Sequence, residues 1–197
     1  MKSIEILRDV DPKCVELEAL GYTLVGESWG ARLRLNHSDN LDIYLNAVDL
    51  ALGHRIEFQE LEIGFADALL ELELINHPDY PYTPATFHAF PTIEIIRALW
   101  LPDHRNFGAL HEGVLIGAVS TSRKLGIVEL DFASLTREYR GKGIGKALAA
   151  TAILAWYRFG IFEFATGGAA QNTASLRTVH SLGFSIEERW RSYQLLQ

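Results

Sequence analysis

The chain has 197 residues, 48% of them hydrophobic, and a formal net charge of −7. This length and composition predict one large domain, or one domain with an appendage, that can bury a full core. The acidic balance argues against a nucleic-acid partner, whose surface needs clustered Lys and Arg. No apolar run is long enough to cross a bilayer, so the sequence predicts no membrane partner.

Cysteine and histidine usage limits the chemistry further. Cys14 is the single cysteine, so no intrachain disulfide can form and the chain suits a reducing compartment. The N-terminus carries an acid, Glu5, rather than an apolar leader, and these features together predict a cytoplasmic protein. The seven histidines show no paired ligand spacing, so we predict no metal site.

The sequence predicts two regions: an N-terminal β-α-β extension in residues 1–52 and a main region in residues 53–197. A strand-like run at residues 4–7 precedes a helix around residues 14–19, and an extended run containing Trp29 follows. The same order of elements recurs close to the C-terminus. Two origins for the extension stay open: the tail half of a duplicated domain, or a decorative addition.

The middle of the chain predicts short elements around an irregular segment. Residues 54–60 alternate apolar and polar side chains and predict a strand. Residues 65–75 place most apolar side chains on one face and predict a helix. Residues 76–91 contain four prolines and many aromatic residues, so they cannot form one long helix. A second helix is predicted over residues 92–100.

The second half alternates strands and helices. The predicted elements are a hairpin of residues 107–110 and 114–121 turning at Glu112-Gly113, a strand at 127–134, a helix at 143–159, a strand at 161–166 that Gly167-Gly168 breaks, a helix from Asn172 or Thr173 to Gly183, and one or two strands within 184–196. This order predicts an α/β (α+β) fold whose sheet is antiparallel in its first part, with one parallel pair around the glycine-opened helix.

The segment from Leu135 to Lys146 links a predicted strand to a predicted helix and is rich in glycine and basic residues. In such a turn backbone N–H groups point at an anion, glycines let it approach closely, and the helix N-terminus adds partial positive charge. The spacing fits neither the Walker A loop nor the Gly-x-Gly-x-x-Gly dinucleotide motif. What remains is Arg-x-x-Gly-x-Gly, read as Arg140, Gly143 and Gly145.

This pattern resembles motif A of the GNAT superfamily of N-acetyltransferases. Residues 135–145 are similar to the family's run V-x-P-E-Y-R-G-x-G-I-G, with Arg137 where proline is common. Asn172, followed by Leu182-Gly183-Phe184, resembles the family's motif B. The resemblance implies a GNAT-like mixed, mostly antiparallel sheet with helices on both faces, formed by residues 53–197.

The resemblance also implies acetyl-CoA as co-substrate. In the family the glycine-rich turn holds the pyrophosphate, and backbone groups beside it pair with the pantetheine arm. The residues this assigns to cofactor binding are Leu135, Arg140, Gly141, Lys142, Gly143, Ile144, Gly145, Lys146, Asn172 and Ser175. For Asn172 the alternative role is a plain N-cap of the following helix.

Acetyl transfer to an amine requires the neutral amine, yet an alkylamine with a pKa around 10.4 is mostly charged at pH 7. Glu129 and Asp131 lie two residues apart on a predicted strand, so they share a face and either carboxylate could accept the proton. The resemblance favours Glu129 as the base. The family's usual tyrosine acid is replaced by Val179, which leaves Tyr193, Ser175, water or unaided departure of the thiolate.

Residues 76–91 correspond to the variable acceptor segment of the family. Tyr80, Tyr82 and His88 are the candidate substrate residues, because aromatic rings can cage an ammonium, with Asp79 adding negative charge. We therefore expect an N-acetyltransferase that acts by direct transfer on a primary amine of a small molecule, with a peptide as the less favoured acceptor. A non-catalytic acyl-CoA-binding or sensor module is the alternative. The resemblance also suggests a homodimer.

Overall fold

The computed structural model of the protein describes residues 4–53 and 55–195. The strands in this part of the chain are β1 (Ile4–Arg8), β2 (Tyr22–Arg34), β3 (Ile56–Glu60), β4 (His104–His111), β5 (Val114–Lys124), β6 (Ile127–Leu135), β7 (Glu163–Ala169) and β8 (Ser185–Leu195). The α-helices are α1 (Lys13–Ala19), α2 (Asp42–Leu52), α3 (Ala66–Asn76), α4 (Ile93–Arg97), α5 (Ile144–Arg158) and α6 (Thr173–Ser181).

All of these strands belong to one sheet, in the order β1-β8-β2-β7-β6-β5-β4-β3. Neighbouring strands are antiparallel except for β6 and β7, which are parallel and are joined by α5. Helices α3 and α4 pack in one hydrophobic cluster, and α2, α5 and α6 pack in another. The predicted α/β (α+β) fold, with a mostly antiparallel sheet and helices on both faces, is confirmed.

Helix α5 lies at the centre of the main core. Its small residues Ala147, Ala150 and Ala152 are fully buried, which lets the helix pack closely on the sheet. Trp156, near its end, donates a hydrogen bond from Nε1 to Thr121 Oγ1 at 2.9 Å. No helix in the described part of the chain is long and apolar enough to span a membrane.

Helix α2 was not predicted, although it packs against α5 in the main core. Its buried face consists of Tyr44 and two alanines, whereas Ile43, Leu45 and Leu50 are exposed. This distribution hides the helical period, because the bulkier aliphatic residues face away from the core. The hydrophobic pattern of the sequence therefore gives no sign of this helix.

Most predicted boundaries hold to within a few residues. The strand predicted over 54–60 is β3, and His54 lies outside the described residues. The helix predicted over 92–100 is α4 followed by a 3₁₀ turn, with Thr92 Oγ1 accepting a hydrogen bond from Ile95 N at 3.4 Å. The closing segment is one strand, β8, whose predicted last residue, 196, lies outside the described residues.

The prediction that Gly167-Gly168 breaks a strand was wrong. Both glycines lie inside β7, where they pair with Gly30 and Trp29 of β2. A Cβ on Gly168 would lie 2.9 Å from the Trp29 ring, and one on Gly167 would lie 3.0 Å from the Trp29 carbonyl oxygen. The glycines are therefore needed for the close approach of β2, and they do not end the strand.

The N-terminal elements are inserted into the sheet. Strand β2 lies between β7 and β8 and pairs with both, and β1 pairs with the far edge of β8. The unit β1-α1-β2 repeats the order of β7-α6-β8, and in each unit a glycine with positive φ follows the helix, +84° at Gly21 and +87° at Gly183. The two units interleave, so that the first 52 residues and the rest share one sheet.

We predict that Gly168→Ala destabilises the protein, because its methyl group would overlap the buried Trp29 ring. Overpacking of this kind costs about 1–3 kcal/mol. Urea unfolding followed by fluorescence measures the change. The control is Gly64→Ala, where a Cβ meets nothing within 4 Å and we expect a change within about 0.5 kcal/mol. Equal effects of the two substitutions would contradict the packing argument.

Candidate active site

Strands β6 and β7 pair over only four residues and then diverge. The last pair joins Leu130 to Thr166, and Thr166 Oγ1 donates to the Leu130 carbonyl at 3.1 Å. Beyond this point β7 pairs with β2, whereas β6 pairs only with β5. The edge of β6 facing β7 thus has no strand partner in the described sheet from Asp131 onwards. Such an edge can pair with an amide-bearing ligand.

A β-bulge lies at the start of this divergence. Thr121 of β5 pairs with Leu130 and Ser120 pairs with Phe132, so Asp131 is the extra residue. Ser122 pairs with Glu129 and donates from Oγ to Asp131 Oδ1 at 2.9 Å. Glu129 and Asp131 are therefore both neighbours of Ser122, in agreement with the prediction that they share one face of the strand.

The two carboxylates are not equivalent. Packing around the carboxyl group raises the pKa of Asp131 above its ordinary value, and the charge of Glu129 raises it further, whereas the Ser122 hydrogen bond opposes the rise. The pKa of Asp131 is thus shifted in the direction that suits a general base. Glu129 is exposed and lines a cavity on the surface of the sheet.

The predicted anion-binding turn is present between β6 and α5. Gly141 and Gly143 have positive φ values of +75° and +79°, a conformation that favours glycine. In the described chain the N–H groups of residues 141–146 donate to no protein acceptor, and the first backbone bond into the helix comes from Ala147 N to Gly143 O at 3.0 Å. These free donors at a helix N-terminus suit a phosphate group.

The space above this turn is open. A Cβ built on Gly141, Gly143 or Gly145 would meet nothing within 4 Å. The side chain of Ile144, by contrast, is fully buried, so that Ile144 can offer only its N–H group to a ligand. Lys146 has no hydrogen-bond partner among the described residues and stays available for a negative charge. The predicted cofactor residues of this turn fit a pyrophosphate.

A second cavity, of about 310 Å³, adjoins the turn. Lys142 lies over the ring of Tyr139, with Nζ 5.4 Å from the ring centroid. The Tyr139 hydroxyl lies 2.8 Å from Nδ1 of His111. Together they form one wall of the cavity, which places an aromatic surface and a cation beside the predicted pyrophosphate position.

The Arg140 guanidinium already binds three protein acceptors, so it is not a free phosphate ligand. It donates to the Leu135 carbonyl at 2.8 Å, to Asp79 Oδ2 at 2.7 Å and to Asn76 Oδ1 at 2.8 Å. Asn76 in turn donates from Nδ2 to Ser134 Oγ at 2.8 Å. Arg140 therefore joins the turn to the end of β6 and to the end of α3, and the Leu135 carbonyl already has one donor.

The sequence suggested that Asp79 offers negative charge to an acceptor amine. In the structure this charge is used within the protein. Its carboxylate is bound by both Arg137 and Arg140. The hydrogen bonds from these two guanidinium groups hold the pKa of Asp79 far below its usual range. The negative charge is thus neutralised within the protein.

The predicted substrate residues separate into two groups. Tyr80 and His88 stack with ring centroids 4.1 Å apart, and both bind the buried carboxylate of Glu73, at 3.1 Å from the Tyr80 hydroxyl and 3.0 Å from His88 Nε2. Burial and the nearby Glu73 charge raise the pKa of the Tyr80 hydroxyl. Tyr82 instead makes an edge contact with Phe87 and is 64% exposed. No cage containing both tyrosines is formed.

The motif B helix, α6, begins where the sequence predicted. Asn172 caps α6, since its Oδ1 accepts a hydrogen bond from Ser175 N at 3.1 Å. Val179 is buried in the main core and has no acidic proton, so it cannot replace the tyrosine acid. Tyr193 packs in a separate cluster with Cys14 and donates to Glu18 at 2.7 Å, and burial raises its pKa to about 12. Tyr193 is therefore not available as the acid.

The sequence reading missed three polar residues of this region, Glu73, Asn76 and Ser134. All three are buried, yet each has a hydrogen-bond partner. Glu73 and Asn76 lie three residues apart on one face of α3, among buried leucines. A charged residue within an apolar face is the signal that could have identified them.

Comparisons with known proteins agree with this geometry. The acetyltransferase (GNAT) family model matches residues 68–184, more than half of the chain. A GCN5-related N-acetyltransferase from Sphaerobacter thermophilus has the same fold, at 17% identity and a TM-score of 0.73. The match covers 98% of this chain and 59% of that protein, so the chain spans little more than half of its length.

Two smaller structures also match. A PaiA N-acetyltransferase from Thermoplasma acidophilum, solved with coenzyme A, is 24% identical with a TM-score of 0.55, covering 70% of this chain and 97% of its own. The ribosomal-protein-S18-alanine N-acetyltransferase from Escherichia coli is 18% identical with a TM-score of 0.55, covering 72% and 95%. No curated protein sequence gives a significant match.

The chain belongs to the GNAT family of acetyltransferases, whose members use acetyl-CoA. The matched region begins in α3 and ends before β8. The free N–H groups of the turn and the unpaired edge of β6 both lie within it.

We predict that Asp79→Asn lowers stability in a pH-dependent way. An unfolded Asp has a pKa of about 3.9, and the folded value is lower, so the carboxylate stabilises the fold above about pH 4 and this contribution is lost as the pH falls towards the folded pKa. Urea midpoints of the variant and the parent should differ at pH 7, and the difference should start to shrink as the pH falls below about 4. The exposed Asp49→Asn serves as control. A difference that does not change with pH would contradict the ion-pair argument.

Proposed function

We propose that the protein is an acetyl-CoA-dependent N-acetyltransferase that moves an acetyl group directly to a primary amine of a small molecule. The row of unpartnered N–H groups at residues 141–146, opposite open space, carries this proposal. These groups would hold the pyrophosphate, with Lys142 and Lys146 adding positive charge. The unpaired edge of β6 would pair with the pantetheine arm.

In the proposed reaction a bound thioester supplies an acyl group open to attack. The amine first loses its proton to Glu129 or Asp131, whose carboxylates lie beside Ser122 at the bulge. The amine nitrogen then bonds to the acyl carbon, the carbon–sulfur bond breaks, and the thiolate takes up a proton from water. Water is proposed because Val179 has no proton to donate, and because Tyr193 is buried and its hydroxyl donates to Glu18.

The proposal extends to partners and assembly. Tyr80 and His88 would border the acceptor, and Tyr82 would contact it only at the outer rim, where it is exposed. The cavity beside Glu129 suits a small molecule better than a peptide, because it holds about 360 Å³. The proposed setting is cytoplasmic, with a homodimer as the assembly and neither nucleic acid nor membrane as partner.

The first test is a calorimetric titration with acetyl-CoA, with ADP-ribose and ATP as controls. We expect acetyl-CoA to bind at least tenfold more tightly than either control, because only acetyl-CoA has the pantetheine arm. Gly143→Val should weaken acetyl-CoA binding strongly, since valine is strained at positive φ and its side chain would fill the open space. Unchanged binding by this variant would contradict the assignment of the turn.

The second test separates an enzyme from a binding module. Glu129→Gln should lower amine-dependent thiol release by about 10²–10⁴-fold, the usual contribution of a general base, while acetyl-CoA binding stays intact. Glu57→Gln, an exposed acid on β3, is the matched control. If no amine increases thiol release in the parent protein although acetyl-CoA binds, the sensor-module alternative holds. If Glu129→Gln leaves turnover unchanged, Asp131 takes the role of base.

A further inference from the structure

A cavity of about 360 Å³ lies on the sheet beside Glu129. Its walls come from β2, β5, β6, β7, β8 and the turn between β5 and β6. The residues that matter here are Gly30, Arg32, Lys124, Glu129, Gly167 and Glu188. The cavity therefore brings acids and bases of four strands to one surface, next to the bulge that carries Asp131.

The strand register fixes how far apart the opposite charges are. Ala165 of β7 pairs with Glu129 on one side and with Arg32 on the other. Paired residues point to the same face, and adjacent strands are about 4.8 Å apart, so the Cα atoms of Glu129 and Arg32 are separated by roughly 10 Å. Only the methyl group of Ala165 stands between these two residues. In the neighbouring row Gly30 pairs with Gly167, so no side chain fills the cavity there.

Three charged side chains that line the cavity make no direct contact with an opposite charge among the described residues. In the described chain neither Glu129, Arg32 nor Lys124 makes a hydrogen bond or an ion pair, although all three line the same cavity. The other charged residue of the lining, Glu188, is bound by Arg8 at 3.2 Å and by Trp190 Nε1 at 3.3 Å. Within the described sheet, Glu129 thus lies between two free cations: Arg32 is two strands away on β2, and Lys124 is on the neighbouring strand β5.

Neighbouring arginines show that free charge is not the rule on these strands. Arg34, two residues after Arg32 on β2, binds Glu187 of β8 through two hydrogen bonds. Arg123, beside Lys124, binds Asp103. Arg32 and Lys124 lack such partners in the described chain, and both line the cavity, where a ligand could supply them.

We propose that the acceptor is a zwitterion, an amino carboxylate whose amine lies at Glu129 and Asp131 and whose carboxylate lies at Arg32, with Lys124 adding positive charge to the same cavity. This inference rests on the proposed function for the identity of the reacting amine. The amine end must lie towards the bulge, because that is where β6 and β7 diverge and where the acyl group would be presented. Arg32 suits the other end, since a guanidinium binds a carboxylate through two donors.

Matched acceptors test this proposal. Amino carboxylates such as 5-aminopentanoate are compared with alkylamines of the same chain length, such as pentylamine, in thiol-release kinetics. We expect kcat/KM to be at least tenfold higher for the amino carboxylate, because a hydrogen-bonded charge pair contributes about that much or more. In Arg32→Gln this preference should fall at least tenfold, through a higher KM for 5-aminopentanoate.

The control variant is Arg189→Gln, an exposed residue of β8 that does not line the cavity. It should keep the preference of the parent protein. Equal kcat/KM for the two acceptor types, or an equal loss of both in Arg32→Gln, would overturn the zwitterion proposal. Lys124→Gln provides an independent variant with the same expectation and a smaller effect, because Lys124 is exposed.

Calorimetric binding of 5-aminopentanoate and pentylamine, without acetyl-CoA, separates this proposal from the proposed function. Selective binding of 5-aminopentanoate that is lost in Arg32→Gln supports the zwitterion site even if no thiol is released, in which case the proposed enzyme activity fails alone. Turnover of pentylamine without selective binding of 5-aminopentanoate keeps the enzyme and rejects the zwitterion site.

Discussion

The divergence of β6 and β7 after Leu130 and Thr166 is the constraint on which the site depends. Strand β7 stays paired with β2 along its whole length, and its two glycines let Trp29 of β2 approach closely. Strand β6 leaves β7 after Thr166 and continues along β5. The separation leaves the β6 edge unpaired, and the bulge at Asp131 marks where it starts. Backbone donors and acceptors, two carboxylates and an anion-binding turn then meet at one end of the sheet.

The open edge has to be held in place without a strand partner. Arg140 does this by binding the carbonyl of Leu135 on one side and Asp79 and Asn76 on the other. Glu73 has a similar effect on the neighbouring loop, because its buried carboxylate fixes Tyr80 and His88. A buried charge that lost its partners would be costly, so these contacts restrict the loop to one arrangement. The motif's arginine thus has an architectural role in this chain.

The sequence predicted what is encoded locally. Glycines that require positive φ, a helix that opens behind them, and carboxylates alternating on a strand are short-range features, and they identified the turn, α5 and the Glu129–Asp131 pair. The Arg140–Asn76 bond spans 64 positions and the Asn76–Ser134 bond spans 58, and no periodicity reports such contacts. The predicted break at Gly167-Gly168 failed for the same reason, since the Trp29 ring that explains it comes from a distant strand.

The insertion of β2 also divides the site into two parts with different origins. The turn, the unpaired edge and both carboxylates lie within the region matched by the family model, whereas Gly30 and Arg32 lie before it. A Cβ on Gly30 would lie 3.2 Å from Glu188 Oε2, so the Glu188 carboxylate packs closely over this glycine. Arg8 of β1 holds that same carboxylate in position. In the proposed function, the groups that would hold the cofactor therefore lie in the region matched by the family model, whereas Arg32, the proposed carboxylate ligand, lies outside it.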